Sequence, residues 1–155
     1  MAQFTTFTLD GRLFGLDILV VREINRILDL TPVPKADPHV RGLINLRGQI
    51  VTILDLSVRL GMPRRELQET SHNVILKTDQ DLLAQRVAGG PSLSTCSDQV
   101  GLLVDDIGDV VDADEGLIEP TSANVSEQEG RFLKGVVKTP AGLLILLDLP
   151  ALLTA

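Results

Sequence analysis

The sequence predicts a mainly β protein made of two related small barrels that share a core, with short helices at some strand ends. Short apolar runs separated by turn-forming residues recur along the 155-residue chain, which is typical of small β barrels. Aromatic residues make up only 3% of the chain, so Leu, Ile and Val must form most of the core. A strand–turn–strand–helix unit also occurs twice, which indicates two similar β units.

The N-terminal segment is predicted to form a β hairpin. Two predicted strands, FTTFTL at residues 4–9 and RLFGLD at residues 12–17, flank Asp10-Gly11, a dipeptide typical of tight hairpin turns. Asp17 is a suitable N-cap, so one helical turn is expected before the next strand. Further along the chain, residues 31–38 contain three prolines and are expected to be irregular.

Residues 43–54 are predicted to form a second hairpin. It turns at Arg47-Gly48 and places an almost unbroken aliphatic run on its second strand. Asp55 follows that strand and is expected to cap a short helix that ends at Gly61.

Two further strands are predicted at residues 72–78 and 99–107. Residues 79–98 between them have a centre rich in Gly, Ser and Pro. They are predicted to form a long hairpin insertion that is flexible at its tip. Two interpretations of this insertion remain open, an inert loop and a contact specific to one partner.

The repeated unit is visible in the spacing of matched residues. Gly42 is followed 13 positions later by Asp55, and Gly135 is followed 13 positions later by Asp148. Each aspartate precedes a leucine, and another leucine follows each glycine after 18 positions. Further matched positions are Gly15-Leu16 and Gly101-Leu102. The spacing predicts that the two halves of the chain have equivalent strands and helix starts.

Charge and composition limit the classes of partner and the cellular location. The formal net charge is −7, which disfavours nucleic acid because backbone phosphates require a basic surface. Cys96 is the single cysteine, so no intramolecular disulfide is possible. The first residues lack the pattern of a secretory signal, and no apolar run approaches about 18 residues. These features predict a cytoplasmic protein with no direct insertion into a membrane.

Residue patterns for catalysis, cofactors or metals are absent from the sequence. His39 and His72 have no second His or Cys at ligand spacing, so no metal site is predicted. No phosphate-binding loop or nucleophile elbow occurs, so no cofactor is predicted. The alternative is an enzyme or small-ligand-binding barrel that uses Asp55 and Asp148 at its rim. Since both aspartates precede predicted helices, N-capping is the favoured role and a non-enzymatic protein is expected.

Arg47 is the main candidate for a recognition residue. Gly42 and Gly48 allow backbone conformations or close approaches that other residues would not, and Arg47 lies at the turn. In one interpretation Arg47 forms a surface ion pair with a local acid, for which Glu23 is the candidate. In the other it binds a partner helix together with neighbouring exposed aliphatic side chains. Those aliphatic candidates are Ile18, Val21, Leu43 and Leu46.

Four segments together resemble the CheW-type chemotaxis coupling proteins, the CheW-like domain family. They are GLDILVVREI at 15–24, VRGLINLRGQIVTILDLSVRLG at 40–61, VGLLVDDIGDVV at 100–111, and the closing LKGVV and GLLILLDLPALL runs. The resemblance covers almost the whole chain. It implies one domain over residues 1–155, made of two intertwined five-stranded SH3-like barrels that share a core, with no catalytic activity and no cofactor.

The resemblance also implies the partners and the site. Family members bridge the cytoplasmic helical tip of a chemoreceptor, a methyl-accepting chemotaxis protein, to a CheA-type histidine kinase. The arginine of their NLRG turn, here Arg47, pairs with the glutamate of their EI motif, here Glu23. The receptor is expected in the groove between the barrels, near Ile18, Val21 and Gly42. The kinase's regulatory domain has the same fold and docks barrel to barrel, which recruits the adaptor to membrane-associated receptor arrays.

Two segments differ from the common family pattern. Typical members have a short turn in place of residues 79–98, and they often carry an apolar or aromatic contact where residues 118–125 are acidic and polar. These differences leave open an adaptor of another chemosensory pathway, such as surface motility or gene regulation.

Overall fold

The computed structural model describes residues 2–64, 66–85, 98–119, 132–140 and 142–153. They form two β sheets with short helices, which confirms the predicted mainly β fold class. The strands are β1 (Ala2–Leu9), β2 (Arg12–Asp17), β3 (Val21–Asn25), β4 (Val40–Leu46), β5 (Gln49–Asp55), β6 (His72–Leu76), β7 (Val100–Val104), β8 (Asp106–Ile107), β9 (Val111–Ala113), β10 (Leu133–Thr139) and β11 (Gly142–Leu147). The α-helices are α1 (Leu56–Arg59), α2 (Asp79–Gln85) and α3 (Leu149–Leu153), and 3-10 helices span Ile18–Val20 and Glu115–Leu117. No helix in these ranges is long and apolar enough to cross a bilayer.

Barrel 1 is the sheet with strand order β10-β11-β2-β1, extended by β8 and β9, which pair with opposite ends of β1. Glu119, which follows β9, exchanges two backbone hydrogen bonds of 2.9 and 2.8 Å with Val136 of β10. These bonds join the two edges of the sheet. The resemblance implied five strands in this barrel. The place of the fifth strand, beside β1, is taken by two short strands, β8 and β9, so this sheet has six.

Barrel 2 is the sheet with strand order β3-β6-β7-β5-β4. Thr31, which follows β3, exchanges backbone hydrogen bonds of 2.9 and 2.8 Å with Leu43 of β4. The irregular proline-containing segment therefore begins by joining the two edge strands of this sheet. This bridge gives the β4 edge a backbone partner at Leu43 and so shortens the edge that is left unpaired.

The strand registers match the repeat predicted from the sequence. Strand β11 runs parallel to β2 with Leu146 opposite Gly15, and β5 runs parallel to β7 with Ile53 opposite Gly101. The register also shifts immediately before Gly42 in β4 and at the equivalent place in β10. Barrel 2 combines β3, β4 and β5 of the first repeat with β6 and β7 of the second, so the two repeats exchange strands.

The described residues form three apolar clusters. One cluster lies inside barrel 1 and includes Phe4, Val137 and Leu144, and another lies inside barrel 2 and includes Ile44, Val51 and Ile53. The largest cluster contains residues of both barrels and of each of the three α-helices in the described ranges. Its members include Phe7, Phe14, Leu56, Leu76, Leu82, Leu102, Phe132 and Leu152. The shared cluster explains why two small barrels can form one stable unit, since burial of apolar area grows with the size of the core.

Arg59 adds a polar contact between the repeats. Its Nε donates a 2.9 Å hydrogen bond to the carbonyl oxygen of Leu152. Its guanidinium lies 4.8 Å from the centre of the Phe132 ring, within the range of a cation–π contact. Helix α1 of the first repeat is therefore linked to the end of the second repeat.

The segment predicted as a hairpin insertion begins as a helix. Strands β6 and β7 on either side are antiparallel neighbours, as the hairpin requires. Asp79–Gln85 forms α2, which the sequence interpretation did not anticipate. Thr78 and Asp81 form a reciprocal cap at its start, because each backbone amide donates to the other side chain. Residues 86–97, which contain the predicted flexible tip, lie outside the described residues.

Replacing Gly42 with alanine is expected to destabilise the protein by about 2–3 kcal/mol. A Cβ atom at Gly42 would lie 2.8 Å from the carbonyl oxygen of Thr31, and φ there is +156°. The backbone bridge that joins the edges of barrel 2 would have to move. Urea denaturation measures the loss. Gly11→Ala is the control, because Gly11 has φ +76° and open space around it, so only the conformational cost of about 1 kcal/mol applies. Equal losses in the two variants would contradict this explanation.

Candidate functional site

The turn between β4 and β5 presents Arg47 to solvent. Arg47 and Gly48 both have positive φ, +52° and +87°, as in the type I′ turns that suit two-residue hairpin loops. The Gly48 amide donates a 2.9 Å hydrogen bond to Asn45 Oδ1. The turn therefore holds the Arg47 backbone in a defined position, while 66% of its side chain remains exposed.

Arg47 forms an ion pair with Glu23 of strand β3. Arg47 Nη2 donates to Glu23 Oε1, and Nη1 lies 3.5 Å from Oε2. The Glu23 side chain is 26% exposed. The structure thus contains the pair proposed from the sequence, and it leaves most of the arginine accessible. The two interpretations of Arg47, ion pair and recognition residue, are therefore compatible.

A second set of polar contacts connects the same two elements. Arg22, the neighbour of Glu23 in β3, donates a 3.0 Å hydrogen bond to Gln99 Oε1. Gln99 Nε2 in turn donates a 2.7 Å bond to Gln49 Oε1 at the start of β5. The hairpin is therefore connected to β3 both directly, through Arg47, and through Gln99. The sequence analysis did not identify this network, since scattered Arg and Gln residues carry no pattern of their own.

The ion pair changes the proton affinity of both partners. The hydrogen bond from Arg47 lowers the pKa of Glu23, and the positive charges of Arg47 and Arg22 add to that effect. Partial desolvation of the Glu23 carboxylate opposes it. The hydrogen bond with Glu23 raises the pKa of Arg47. Both groups are therefore charged at neutral pH, and salt is expected to weaken the exposed pair.

Neutralising Arg47 is expected to raise the pKa of Glu23. In wild type that pKa lies below its ordinary value of 4.5, so the pair stabilises the fold above that pH and loses its effect as the pH falls through the lowered pKa. In Arg47→Gln, the NMR titration midpoint of the Glu23 carboxyl should move up toward 4.5. The pKa of Asp81, lowered by hydrogen bonds from Thr78, is the internal control and should not move. An unchanged Glu23 midpoint would show that another group sets its pKa.

The predicted aliphatic contacts divide into accessible and inaccessible residues. Ile18, in the 3-10 helix between the barrels, and Val21 and Leu43 are partly buried. Leu46 was predicted to be exposed, and this prediction is wrong. It is only 6% exposed and belongs to the core of barrel 2, because it occupies an inward position of β4. Gly42 is buried as well, since the Thr31 backbone lies against it, so its role in the structure is the close approach of two chain segments.

Ile50 is an exposed apolar residue that the sequence analysis did not single out. It lies opposite Asn45 in the β4–β5 pairing and is 69% exposed. Val51 and Ile53, on the other face of β5, are fully buried. Side chains along β5 point alternately outward and inward, and this alternation could have identified Ile50 as exposed. Aliphatic residues occupy both faces of the strand, however, so the sequence does not show which positions face outward.

Asp55 and Asp148 cap separate helices, as predicted. Asp55 Oδ1 accepts from the Val58 amide at the start of α1, and Asp148 Oδ1 accepts from the Ala151 amide at the start of α3. Asp55 also pairs with Arg41 at 2.8 Å. The acid–base alternative depended on these two carboxylates, and it loses that support. Within the ranges that the structure describes, no three His, Cys, Asp or Glu residues are grouped to hold a metal ion.

Comparison with known proteins identifies the family. The family model for the CheW-like domain matches residues 3–155. The chain is 33% identical over 147 residues to the chemotaxis protein CheW of Rhizobium meliloti, which covers 95% of this chain and 84% of the relative. It is 31% identical to the Thermotoga maritima chemotaxis protein CheW, with the same coverage. The crystal structure of the scaffolding protein TtCheW from Thermoanaerobacter tengcongensis matches with a TM-score of 0.80 and 28% identity, over 99% of this chain and 88% of that chain. The protein whose turn carries Arg47 against Glu23 belongs to the CheW-like domain family.

Proposed function

We propose that this protein is a non-catalytic adaptor that couples chemoreceptors to a CheA-type histidine kinase in chemotaxis. Membership of the CheW-like domain family supports the proposal, as do relatives named chemotaxis protein CheW and a similar structure described as a scaffolding protein. The observation that carries it is the Arg47–Glu23 pair, which the family resemblance implies and which links the β4–β5 turn to β3.

The receptor-binding surface is proposed around Arg47 and Glu23, with Ile18, Val21 and Leu43 as partly buried apolar contacts. A charged fork beside aliphatic side chains suits the helical tip of a receptor, since such helices present polar and apolar residues at fixed spacing. Arginine is also enriched at interface positions that contribute much of the binding energy. Ile50 extends the apolar part of this surface, because 69% of its side chain is accessible.

The kinase is proposed to dock through its regulatory domain, barrel to barrel. Both barrels here have their edges joined by backbone bridges at Thr31 and Glu119, so docking would use side chains on the outer faces rather than an added strand. The adaptor is proposed to be cytoplasmic and to be recruited to membrane-associated receptor arrays through these two contacts. Transient complexes of this kind typically have micromolar affinity.

A second candidate is the same adaptor role in another chemosensory pathway, such as surface motility or gene regulation. Helix α2, Asp79–Gln85, occupies the place where the family resemblance implies a short turn. Leu83 on this helix is 70% exposed. An apolar side chain at that position would suit a partner specific to a diverged pathway.

Reconstitution tests the proposal. Membranes that contain a chemoreceptor from the same cell are mixed with its CheA-type kinase, with and without this protein, and both co-sedimentation and kinase autophosphorylation are measured. The adaptor role predicts that the protein sediments with the receptor and that kinase activity changes only when all three components are present. Failure to bind both partners of any chemosensory pathway in the cell would refute it.

A further inference from the structure

Two asparagines on neighbouring strands lie close to the Arg47–Glu23 pair. Asn25, the last residue of β3, is directly opposite Asn73 of β6, and Glu23 is opposite Ile75. Glu23 and Asn25 point to the same face of the sheet, because alternate residues of a strand do so. Ile75 on that face belongs to the core of barrel 2. The two asparagines and Glu23 are therefore neighbours on the inner side of β3 and β6.

Hydrogen bonds with the backbone of Ile27 determine how both side-chain amides are oriented. Asn25 Oδ1 accepts a 3.1 Å hydrogen bond from the Ile27 amide, and Asn73 Nδ2 donates a 2.8 Å bond to the Ile27 carbonyl. Asn73 Nδ2 also donates to Asn25 Oδ1 at 3.1 Å. Because a backbone N–H can only donate and a carbonyl can only accept, turning either amide over would break these bonds. Asn25 Nδ2 therefore points away from the two groups that bind Oδ1.

The same pair leaves one donor and one acceptor inside the protein without a partner. Asn25 Nδ2 and Asn73 Oδ1 are both buried and form no hydrogen bond with the described residues. Asn73 is fully buried, as are its apolar neighbours Val74 and Ile75. An unmet buried polar atom costs about 1–3 kcal/mol, which an apolar side chain would avoid. Packing of barrel 2 alone therefore does not account for Asn73.

The Glu23 carboxylate is a suitable acceptor for the Asn25 amide. Arg47 has the largest effect in lowering the pKa of Glu23, and the positive charge of Arg22 and the Asn25 amide add smaller effects in the same direction. Glu23 Oε1 accepts from Arg47 Nη2, whereas Oε2 lies 3.5 Å from Nη1, at the limit of a hydrogen bond. A carboxylate oxygen can accept from more than one donor. Oε2 therefore has capacity for a further donor beside it.

We propose that Asn25 is a positioning residue for the Arg47–Glu23 pair, with Nδ2 donating to the Glu23 carboxylate. Asn73 holds the Asn25 amide in the orientation that this bond requires. The carboxylate is then restrained by Arg47 from the exposed side and by Asn25 from the buried side. A restrained carboxylate limits the positions of the Arg47 guanidinium, so the arginine loses less freedom when a partner binds. This role rests on the proposed function, because it takes the pair as the receptor contact.

The first test needs neither a substitution nor a receptor. In the full-length isotope-labelled protein, the side-chain amide signals of Asn25 and the carboxyl signal of Glu23 are followed by NMR from neutral to acidic pH. The Asn25 Nδ2 signal should titrate with the same midpoint as the Glu23 carboxyl, since protonation weakens the acceptor. An Asn25 amide that does not follow the Glu23 midpoint would refute the contact.

Three variants separate positioning from a purely structural role. Asn25→Ala and Asn73→Val should each raise the pKa of Glu23, by less than Arg47→Gln does because Arg47 has the larger effect. Ser71→Ala is the control, since Ser71 is also a buried polar residue and its hydroxyl makes a hydrogen bond apart from this pair. It should leave the Glu23 midpoint unchanged. Midpoints equal to wild type in all three variants would show that the asparagines serve only the fold.

Receptor binding by the same variants distinguishes failure of the positioning role from failure of the adaptor role. In co-sedimentation with receptor-containing membranes, Asn25→Ala should bind about threefold more weakly than wild type, and Ser71→Ala should bind normally. Added to Arg47→Gln, Asn25→Ala should weaken binding no further, because Asn25 acts through that arginine.

The outcomes are distinct. If wild type binds the receptor and Asn25→Ala binds equally well, the positioning role is overturned, and an additive loss in the double variant would overturn it too. If wild type does not bind the receptor, the adaptor role fails instead, and the NMR titrations decide by themselves whether Asn25 holds Glu23.

Discussion

The Arg47→Glu variant is expected to fold normally and to lose most of the coupling between receptor and kinase. Arg47 lies on a turn with 66% of its side chain exposed, so its replacement removes no core contact. The substitution places a second carboxylate beside Glu23 and reverses the charge that a receptor would meet. At a site where arginine makes a central contact, we expect receptor binding to weaken about tenfold or more. Kinase activation in the reconstituted assembly should fall with it.

Two further variants show what Arg47 contributes. Arg64→Glu changes the net charge by the same amount at an exposed position outside the site, and it should leave coupling intact. The double variant Glu23→Arg with Arg47→Glu can form the pair with its polarity reversed. If the receptor binds the arginine itself, coupling stays impaired; recovery would show that the pair only holds the hairpin against β3. Normal coupling by Arg47→Glu alone would refute any role for Arg47 in the adaptor.

The local structure was largely predictable because short-range physics determines it. Asp10-Gly11 and Arg47-Gly48 form hairpin turns as expected, and Asp55 caps α1. The 13-residue interval from glycine to aspartate, which occurs in both repeats, correctly predicted equivalent positions in the two barrels. Gly42 and Gly135 both lie where a Cβ would meet the backbone of the segment that joins the barrel edges, at Thr31 and Glu119 respectively.

The arrangement of strands between the two barrels was not predictable from the residues alone. The exchange of β6 and β7 into the barrel of the first repeat depends on tertiary pairing, and no local pattern encodes it. The burial of Leu46 and the exposure of Ile50 could not be distinguished in a run where both faces carry aliphatic residues. The division of one strand position between β8 and β9 is likewise a property of how each contacts β1.

The Asp55→Ala variant is expected to lose much more stability than Asp148→Ala, although the two aspartates occupy equivalent positions. Asp148 mainly caps α3, and loss of an N-cap costs about 1 kcal/mol. Asp55 also forms an ion pair with Arg41, whose side chain is only 10% exposed. Removing one partner of a buried pair costs about 3–5 kcal/mol, because the other charge stays in a poorly solvated place.

Urea denaturation of both alanine variants, with Asp55→Asn as a third, tests this difference. Asparagine is a good N-cap, so Asp55→Asn keeps the cap of α1 and removes only the charge that faces Arg41. It should therefore lie close to Asp55→Ala in stability and well below Asp148→Ala. Since total stabilities of small domains are typically about 5–15 kcal/mol, the loss at Asp55 would shift the denaturation midpoint strongly. Equal losses at Asp55 and Asp148 would mean that the buried ion pair adds nothing beyond the cap.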